Sequence, residues 1–259
     1  MKTICAHSYK GGTGKTTLCV NIAAEAARRG FNVGLFDIDL RAPSLTTLFN
    51  YEPDYYVNDY FKSTSTLDEI LSDVAPVYDL QGNLLVAFSS PEIQVISKMV
   101  SKGGQLIHIN MLKALLSAVK KLQGENRLDL LVWDSSPGIE PWSVNAIIAA
   151  DITFIVLKPS RLDRLGTQRM LQGIYHQLPE EKLFYLVFNR FVPGSAAEPL
   201  QQPTNNNYDV MATIPCYCDH VIASDEEIFV LSRPEHPFSN EIRSLVDRLE
   251  DQIPLHKKE

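Results

Sequence analysis

The stretch that most restricts how this chain can fold is KGGTGKTT at residues 10–17. A short apolar run, TICAHS (3–8), precedes it, and an alanine-rich helical pattern over 15–29, closed by Gly30, follows it. Gly11, Gly12 and Gly14 let the backbone curl tightly and turn its N–H groups inward, because glycine enters positive φ without a Cβ clash. The curl opens onto a helix N-terminus, where free N–H groups and the helix dipole favour an anion. Strand, glycine loop, Lys-Thr and helix in that order read as a phosphate-binding βα unit.

The stretch keeps the Gly-Lys-Thr ending of the pattern G-x-x-x-x-G-K-[ST], but its first glycine comes later, and a second lysine, Lys10, precedes the glycines. The spacing predicts a phosphate cradle of Gly11, Gly12, Thr13, Gly14, Lys15, Thr16 and Thr17. In it Lys15 reaches the β- and γ-phosphates of ATP, Thr16 ligates Mg²⁺ and Thr17 bonds the α-phosphate.

Apolar runs alternate with helical patterns along the rest of the chain. FNVGLFD (31–37), LLVAFS (84–89), DLLVWD (129–134), ITFIVL (152–157) and LFYLVFN (183–189) lack in–out alternation. Such runs suit central parallel strands covered on both faces. Helical patterns fall near 105–123, 139–148, 161–177 and 238–252, and DVMATIP (209–215) reads as a further short strand. The expected fold is α/β: a doubly wound, mostly parallel sheet with helices on both faces, in one domain over 1–259. Residues 50–66 read as an irregular excursion, and 192–208, rich in proline, asparagine and glutamine, as a mobile surface loop.

The net charge of −7 over 259 residues argues against a surface built throughout for nucleic acid or anionic lipid. Four cysteines (5, 19, 216 and 218), with no secretory signal at Met1-Lys2, imply a cytoplasmic protein without disulfides.

Asp37 and Asp39 end the second strand. Carboxylates at the C-terminal edge of a parallel sheet face the ligand crevice, where one can hold a magnesium-bound water and the other orient an attacking water. Asp134 ends LLVWD, an apolar strand with a terminal acid, and is expected to contact Mg²⁺ through water. Pro137-Gly138 follows and allows a backbone N–H to approach a γ-phosphate, so 134–138 is a candidate switch.

KGGTGKTT resembles the deviant Walker loop, KGGxGKTT, of the ParA/MinD group of ATPases, which also holds the nitrogenase iron protein and the arsenite-pump ATPases. DIDLRAPS (37–44), the Asp-Ser-Ser-Pro-Gly stretch at 134–138, VFNR (187–190) and IP (214–215) extend the resemblance along nearly the whole chain. It implies that Asp39 is the water-positioning residue, that Asn189 contacts adenine with Arg190 stacking beside it, and that Pro215 flanks the base. It also implies that Lys10 crosses a dimer interface to touch the partner's phosphates, acting as arginine fingers do.

Cys216-Tyr217-Cys218 is half of a four-thiolate site that a dimer could complete, but the spacing is not CxxC and follows the Ile-Pro expected beside adenine. Thiols supporting the base pocket are the expectation. The last helix carries Phe238, Ile242, Leu245, Val246, Leu249 and Ile253 on one face, and its acids offset its arginines, so the face is expected to pack on the domain rather than on a membrane. DIDLRAPSL is also similar to bacterial tyrosine kinases that regulate polysaccharide export, but the last tyrosine here is Tyr217. The ParA/MinD resemblance therefore implies a Mg²⁺-dependent ATPase, an ATP-driven dimerisation switch that positions or partitions cargo. Its partners would be a second copy and a protein that stimulates hydrolysis, while charge gives no indication of nucleoid DNA or a membrane surface. The alternatives are a metalloenzyme-maturation ATPase and a nucleotide-binding adaptor without significant hydrolysis.

Overall fold

The computed structural model describes residues 1–95, 104–173, 175, 178, 182–192, 208–223 and 226–251. In chain order these form β1 (Lys2–His7), α1 (Lys15–Arg28), β2 (Val33–Ile38), α2 (Leu45–Phe49), α3 (Val57–Phe61), β3 (Leu71–Asp73) and β4 (Leu84–Ala87). Then come α4 (Gly104–Gly124), β5 (Leu130–Ser135), α5 (Pro141–Ala149), β6 (Ile152–Leu157) and α6 (Arg161–Gly173). β7 (Leu183–Phe191), β8 (Asp209–Pro215), α7 (Cys218–Ala223), α8 (Phe229–Ser232) and α9 (Pro237–Glu250) complete the order.

The eight strands make one sheet in the order β3-β4-β2-β5-β1-β6-β7-β8. All neighbours run parallel except β3, which pairs antiparallel with β4. The apolar runs become strands buried on both faces, because alternate side chains enter two separate layers. In β1, Ile4 and Ala6 join the layer under α1 and α9, while Cys5 joins the layer under α4, α5 and α6. Phe238, Ile242, Leu245, Val246 and Leu249 of α9 are buried in the first layer, so the last helix packs on the sheet as expected. Ile253 and residues 193–207 lie outside the described residues. The segment 50–66 departs from the expectation of an irregular excursion: it contains α3, capped by a reciprocal pair in which the Asp59 carboxylate accepts from the Tyr56 N–H. Buried Val57 anchors that turn.

α1 is tied to α9 through charge. Glu25 is fully buried and accepts from Arg28 Nε at 2.8 Å and Arg29 Nε at 2.7 Å. Arg29 also donates to Asp247 at 2.6 Å, to Glu250 at 2.7 Å and to the Arg243 carbonyl at 3.1 Å. Removing one partner of a buried charge network leaves the other poorly compensated. Arg29→Met is expected to lower stability by about 2–4 kcal/mol in denaturant titration. A loss under about 0.5 kcal/mol would show that the network contributes no more than an exposed ion pair.

Candidate functional site

Parallel pairing sets the ends of β1, β2, β5 and β6 side by side, and the register decides which side chains meet there. Asp37 of β2 is the direct partner of Asp134 of β5, and Ala6 of β1 is the partner of Asp134 on the other side. Two carboxylates are thus placed next to each other at the edge where the β1–α1 loop begins.

The loop has the geometry its glycines allow. Gly12 and Gly14 lie at φ +70 and +91, in the left-handed region that favours glycine. A Cβ on Gly14 would stand 2.3 Å from Asn189 Nδ2, so a side chain is excluded there for a second reason. α1 starts at Lys15 with no side-chain cap and no acid in its first turn. Its first N–H groups are left for an outside acceptor, and the dipole makes an anion the preferred one. Lys15 is buried; Thr16 and Thr17 are half-buried.

A cavity of about 500 Å³ opens over this helix end. Gly11, Gly12, Gly14, Lys15, Thr16 and Thr17 line one side, Asp39 and Arg41 through Ser44 another, and Pro137 and Arg190 close it. Thr13 does not line it, but its buried Oγ1 has no hydrogen-bond partner. Lys10 is exposed and stands outside the cavity.

Asp37 and Asp134 do not line this cavity, and their carboxylates are unusual. Asp37 Oδ2 and both oxygens of Asp134 are buried with no formed hydrogen bond. Burial, with Asp134 and Asp39 nearby, holds the Asp37 carboxyl well above the usual carboxylate range. Burial pushes Asp134 up to about 6, although the neighbouring Thr16 hydroxyl and Lys15 ammonium pull it down. A carboxyl whose folded pKa is raised binds its proton more tightly when folded. Its contribution therefore favours folding at low pH and is lost as pH rises from about 4 through about 6. For Asp134 this amounts to about 3 kcal/mol at neutral pH. Asp134→Asn is expected to melt above the wild type at pH 7 without ligand, with the gap closing towards pH 4.5. An equal or lower melting temperature at pH 7 would show that Asp134 is compensated in the folded chain.

Asp39 lies one step beyond the strand. Its backbone N–H donates to Asp37 Oδ1 at 3.0 Å. Its Oδ1 accepts from Ser136 Oγ at 2.7 Å and from the N–H groups of Arg41 and Ala42 at 3.3 and 3.2 Å. One oxygen thus caps the following turn, while the residue still lines the cavity. The 134–138 segment is clasped from β1. Gly138 N–H donates to the Ser8 carbonyl at 2.8 Å, and His7 Nε2 meets the Gly138 carbonyl at 2.7 Å. A carbonyl only accepts, so Nε2 carries the proton and Nδ1 accepts from Tyr175 Oη at 2.8 Å. Burial pushes His7 down to about 4, so it is neutral at pH 7.

Asn189 is brought to the loop: its Nδ2 donates to the Thr13 carbonyl at 2.8 Å, and its Oδ1 accepts from the Arg190 N–H at 2.9 Å. Arg190 adopts φ +56 and turns onto the cavity. Pro215 ends β8 opposite Phe191 and does not line the cavity. The residues that sequence reasoning did not select as site members are Arg41, Ala42, Pro43, Ser44, Thr47 and Leu48 on the cavity wall, and His7 behind the loop. Position after the Asp-x-Asp pair was the available signal for the first group. For His7 there was none, since its partners are 131 and 168 residues away.

A glycine loop turning an uncapped helix towards paired strand-end carboxylates defines the class, a P-loop nucleoside triphosphatase. Comparison narrows it. The family model described as an AAA domain matches residues 1–182. The septum site-determining protein MinD of Thermotoga maritima is 25% identical over 262 residues, which cover 97% of this chain and 89% of that protein. An iron-sulfur cluster carrier protein of Pyrococcus furiosus is 27% identical over 174 residues, 63% of this chain and 54% of that protein, so the chain spans about half the length of this relative. The fold is that of the septum site-determining protein MinD of Pyrococcus horikoshii, solved with Mg-ADP, at a TM-score of 0.73, 17% identity and coverage of 97% and 96% of the two chains. The chain belongs to the ParA/MinD family of P-loop ATPases. Among the described residues, no helix is long and apolar enough to cross a membrane.

Proposed function

We propose that this chain is a Mg²⁺-dependent ATPase whose bound ATP drives two copies together, and that the dimer positions or partitions a cargo in the cytoplasm. The observation that carries the nucleotide reading is the set of buried, unpartnered carboxylate oxygens of Asp37 and Asp134 beside an uncapped helix N-terminus. Buried carboxyl oxygens without hydrogen-bond partners suit a cation that would displace their protons, and an uncapped helix calls for an anion. Magnesium with a polyphosphate meets both demands, and the solved relative with Mg-ADP on this fold supports the pairing.

In this reading the loop N–H groups and Lys15 hold the phosphates, with Thr17 on the α-phosphate. Thr16, Asp37 and Asp134 hold Mg²⁺, which when bound neutralises charge on the phosphate oxygens. Asp39 orients the attacking water, its turn-capping oxygen fixing where the other one points. Asn189 props the loop through Thr13, while Arg190 borders the base and Pro215, outside the cavity, takes no part. Release of phosphate from ATP tests this directly: it is expected to require Mg²⁺. Binding of ATP without any phosphate release would leave the adaptor reading in its place.

The dimer reading draws support from Lys10, exposed outside the cavity, and from exposed apolar residues on α6 and just before α5. Ile139, Leu162 and Leu165 are exposed, and α6 reaches the loop because Gly166 packs against the Tyr9 ring. A second copy would cover them, and Lys10 would face its phosphates. A protein that stimulates hydrolysis completes the scheme.

A second reading rests on Cys216 and Cys218, both exposed and unpaired as thiols at the end of β8. Among the described residues no three potential ligands gather, so an iron–sulfur cluster carried as cargo would take thiolates from two copies. Iron and sulfide analysis of protein purified without air decides it: retention lost in Cys216→Ser supports carriage, and absence of iron rejects it.

A further inference from the structure

Arg41 occupies a position that loop structure alone does not require. It follows the Asp37-x-Asp39 pair, and its side chain lines the nucleotide cavity. Its guanidinium is held from the opposite loop, by Glu140 at 2.8 Å and by the ring of Trp142 at 5.3 Å. Glu140 and Trp142 open α5, directly after the 134–138 segment clasped by His7 and Ser8. Both residues of the ion pair keep partial exposure, 48% for Arg41 and 29% for Glu140, and exposed pairs of this kind contribute little. The wall around Arg41 carries Lys15 and Arg190 as further cations and Asp39 as an acid, and it lies over an uncapped helix end. A polyphosphate in this cavity would present more negative charge to the guanidinium than Glu140 does, together with bidentate acceptors.

We propose that Arg41 is a nucleotide-binding residue that exchanges partners: Glu140 and Trp142 hold it in the nucleotide-free chain, and phosphate oxygens of ATP take it when the cavity fills. This rests on the nucleotide reading given above and deepens it. The exchange frees α5 from the loop after β2, so nucleotide occupancy is communicated from the Asp39 loop to the segment that carries exposed Ile139. Glu140 is then a competitor for the guanidinium rather than a support.

That role makes two variants move in opposite directions. Arg41→Ala loses the phosphate contact, and ATP affinity is expected to fall roughly tenfold. Glu140→Gln removes the competitor, and ATP affinity is expected to rise by about two- to fivefold. A staple that merely held the two loops in place would weaken binding in both. Calorimetry with Mg-ATP on the full chain reads the affinities, with circular dichroism melts confirming that each variant folds. Trp142 gives a second readout. Trp133 is fully buried in the core, and its contribution is what remains in Trp142→Phe. Trp142 emission is expected to change when ATP withdraws the guanidinium, and the change should vanish in Trp142→Phe and in Arg41→Ala. Arg41→Lys should retain part of the affinity.

Equal or weaker ATP binding in Glu140→Gln, or unchanged binding in Arg41→Ala, overturns the exchange. An emission change that persists in Arg41→Ala also overturns it, because the indole would then be reporting some other movement. Lys15→Ala keeps the two readings apart. If Lys15→Ala loses ATP while Arg41→Ala does not, the site stands and the Arg41 role falls. A wild type that binds no ATP removes both.

Discussion

Lys15→Ala is expected to lose nucleotide binding while keeping its fold. Among the described residues the ammonium is the one buried cation on the cavity wall, placed at the first residue of α1. Cutting a desolvated charge contact typically costs about 2–5 kcal/mol, so affinity for Mg-ATP should fall by roughly 30-fold or more. The protein itself should tolerate the change, for two reasons. Lys15 contributes its backbone, not its ammonium, to the helix start. The ammonium also stands near Asp134, whose carboxyl already lies raised to about 6 and would rise further without it. Proton uptake then replaces the lost cation, and the fold meets a small penalty instead of an unpaired buried charge. Calorimetry measures the affinity and a thermal melt measures the fold. Retained affinity in a folded variant would show that the loop is not the phosphate site.

The elements most legible in the sequence are those whose cause is local. Apolar runs such as ITFIVL become β6 because nothing polar interrupts them, and the glycine loop follows from residues within eight positions. Three kinds of feature were hidden. β3 is three residues long at the sheet edge and half-buried, so it leaves neither a run nor an alternation to read. α3 is short and owes its start to a reciprocal cap between Tyr56 and Asp59, a pairing outside the usual serine or threonine signature. The third kind depends on strand order. Asn189 meets Thr13 from 176 residues away because its strand and the loop's strand flank β6 on either side. The register that aligns Asp37 with Asp134 likewise has no local trace, although each strand-ending acid was visible alone. Arg41 to Ser44 of the cavity wall fall within the DIDLRAPS segment, with Thr47 and Leu48 beyond it, yet only the folded path of the loop after β2 shows that they share a cavity with the glycine loop.

Asp39→Ala joins chemistry to assembly, and its effect should be large in one quantity and absent in another. The variant keeps Lys15, the loop N–H groups, Asp37 and Asp134, so ATP should still bind with Mg²⁺. It loses the carboxylate proposed to orient water and the acceptor that receives Ser136 Oγ and the Arg41 and Ala42 N–H groups. Phosphate release should therefore slow by roughly 100-fold or more, the scale on which positioned acid–base groups act. If ATP joins the two copies and hydrolysis parts them, slow hydrolysis should trap the dimer. Light scattering on gel-filtered protein would then give twice the monomer mass with ATP and the monomer mass with ADP or no nucleotide. Adding Lys10→Ala to this background supplies the converse. Lys10 is exposed outside the cavity, so its removal should spare the chain's own phosphate contacts, but in the proposed dimer it would leave two triphosphates facing each other without a bridging cation. The double variant should bind ATP and remain a monomer. Asp39→Asn would show whether the turn alone matters: its side-chain oxygen can still accept the three hydrogen bonds, so a slow, dimeric Asp39→Asn assigns the effect to the lost charge. A single mass in all three nucleotide states would overturn the switch, and a double variant that still dimerises with ATP would return Lys10 to a role within its own subunit.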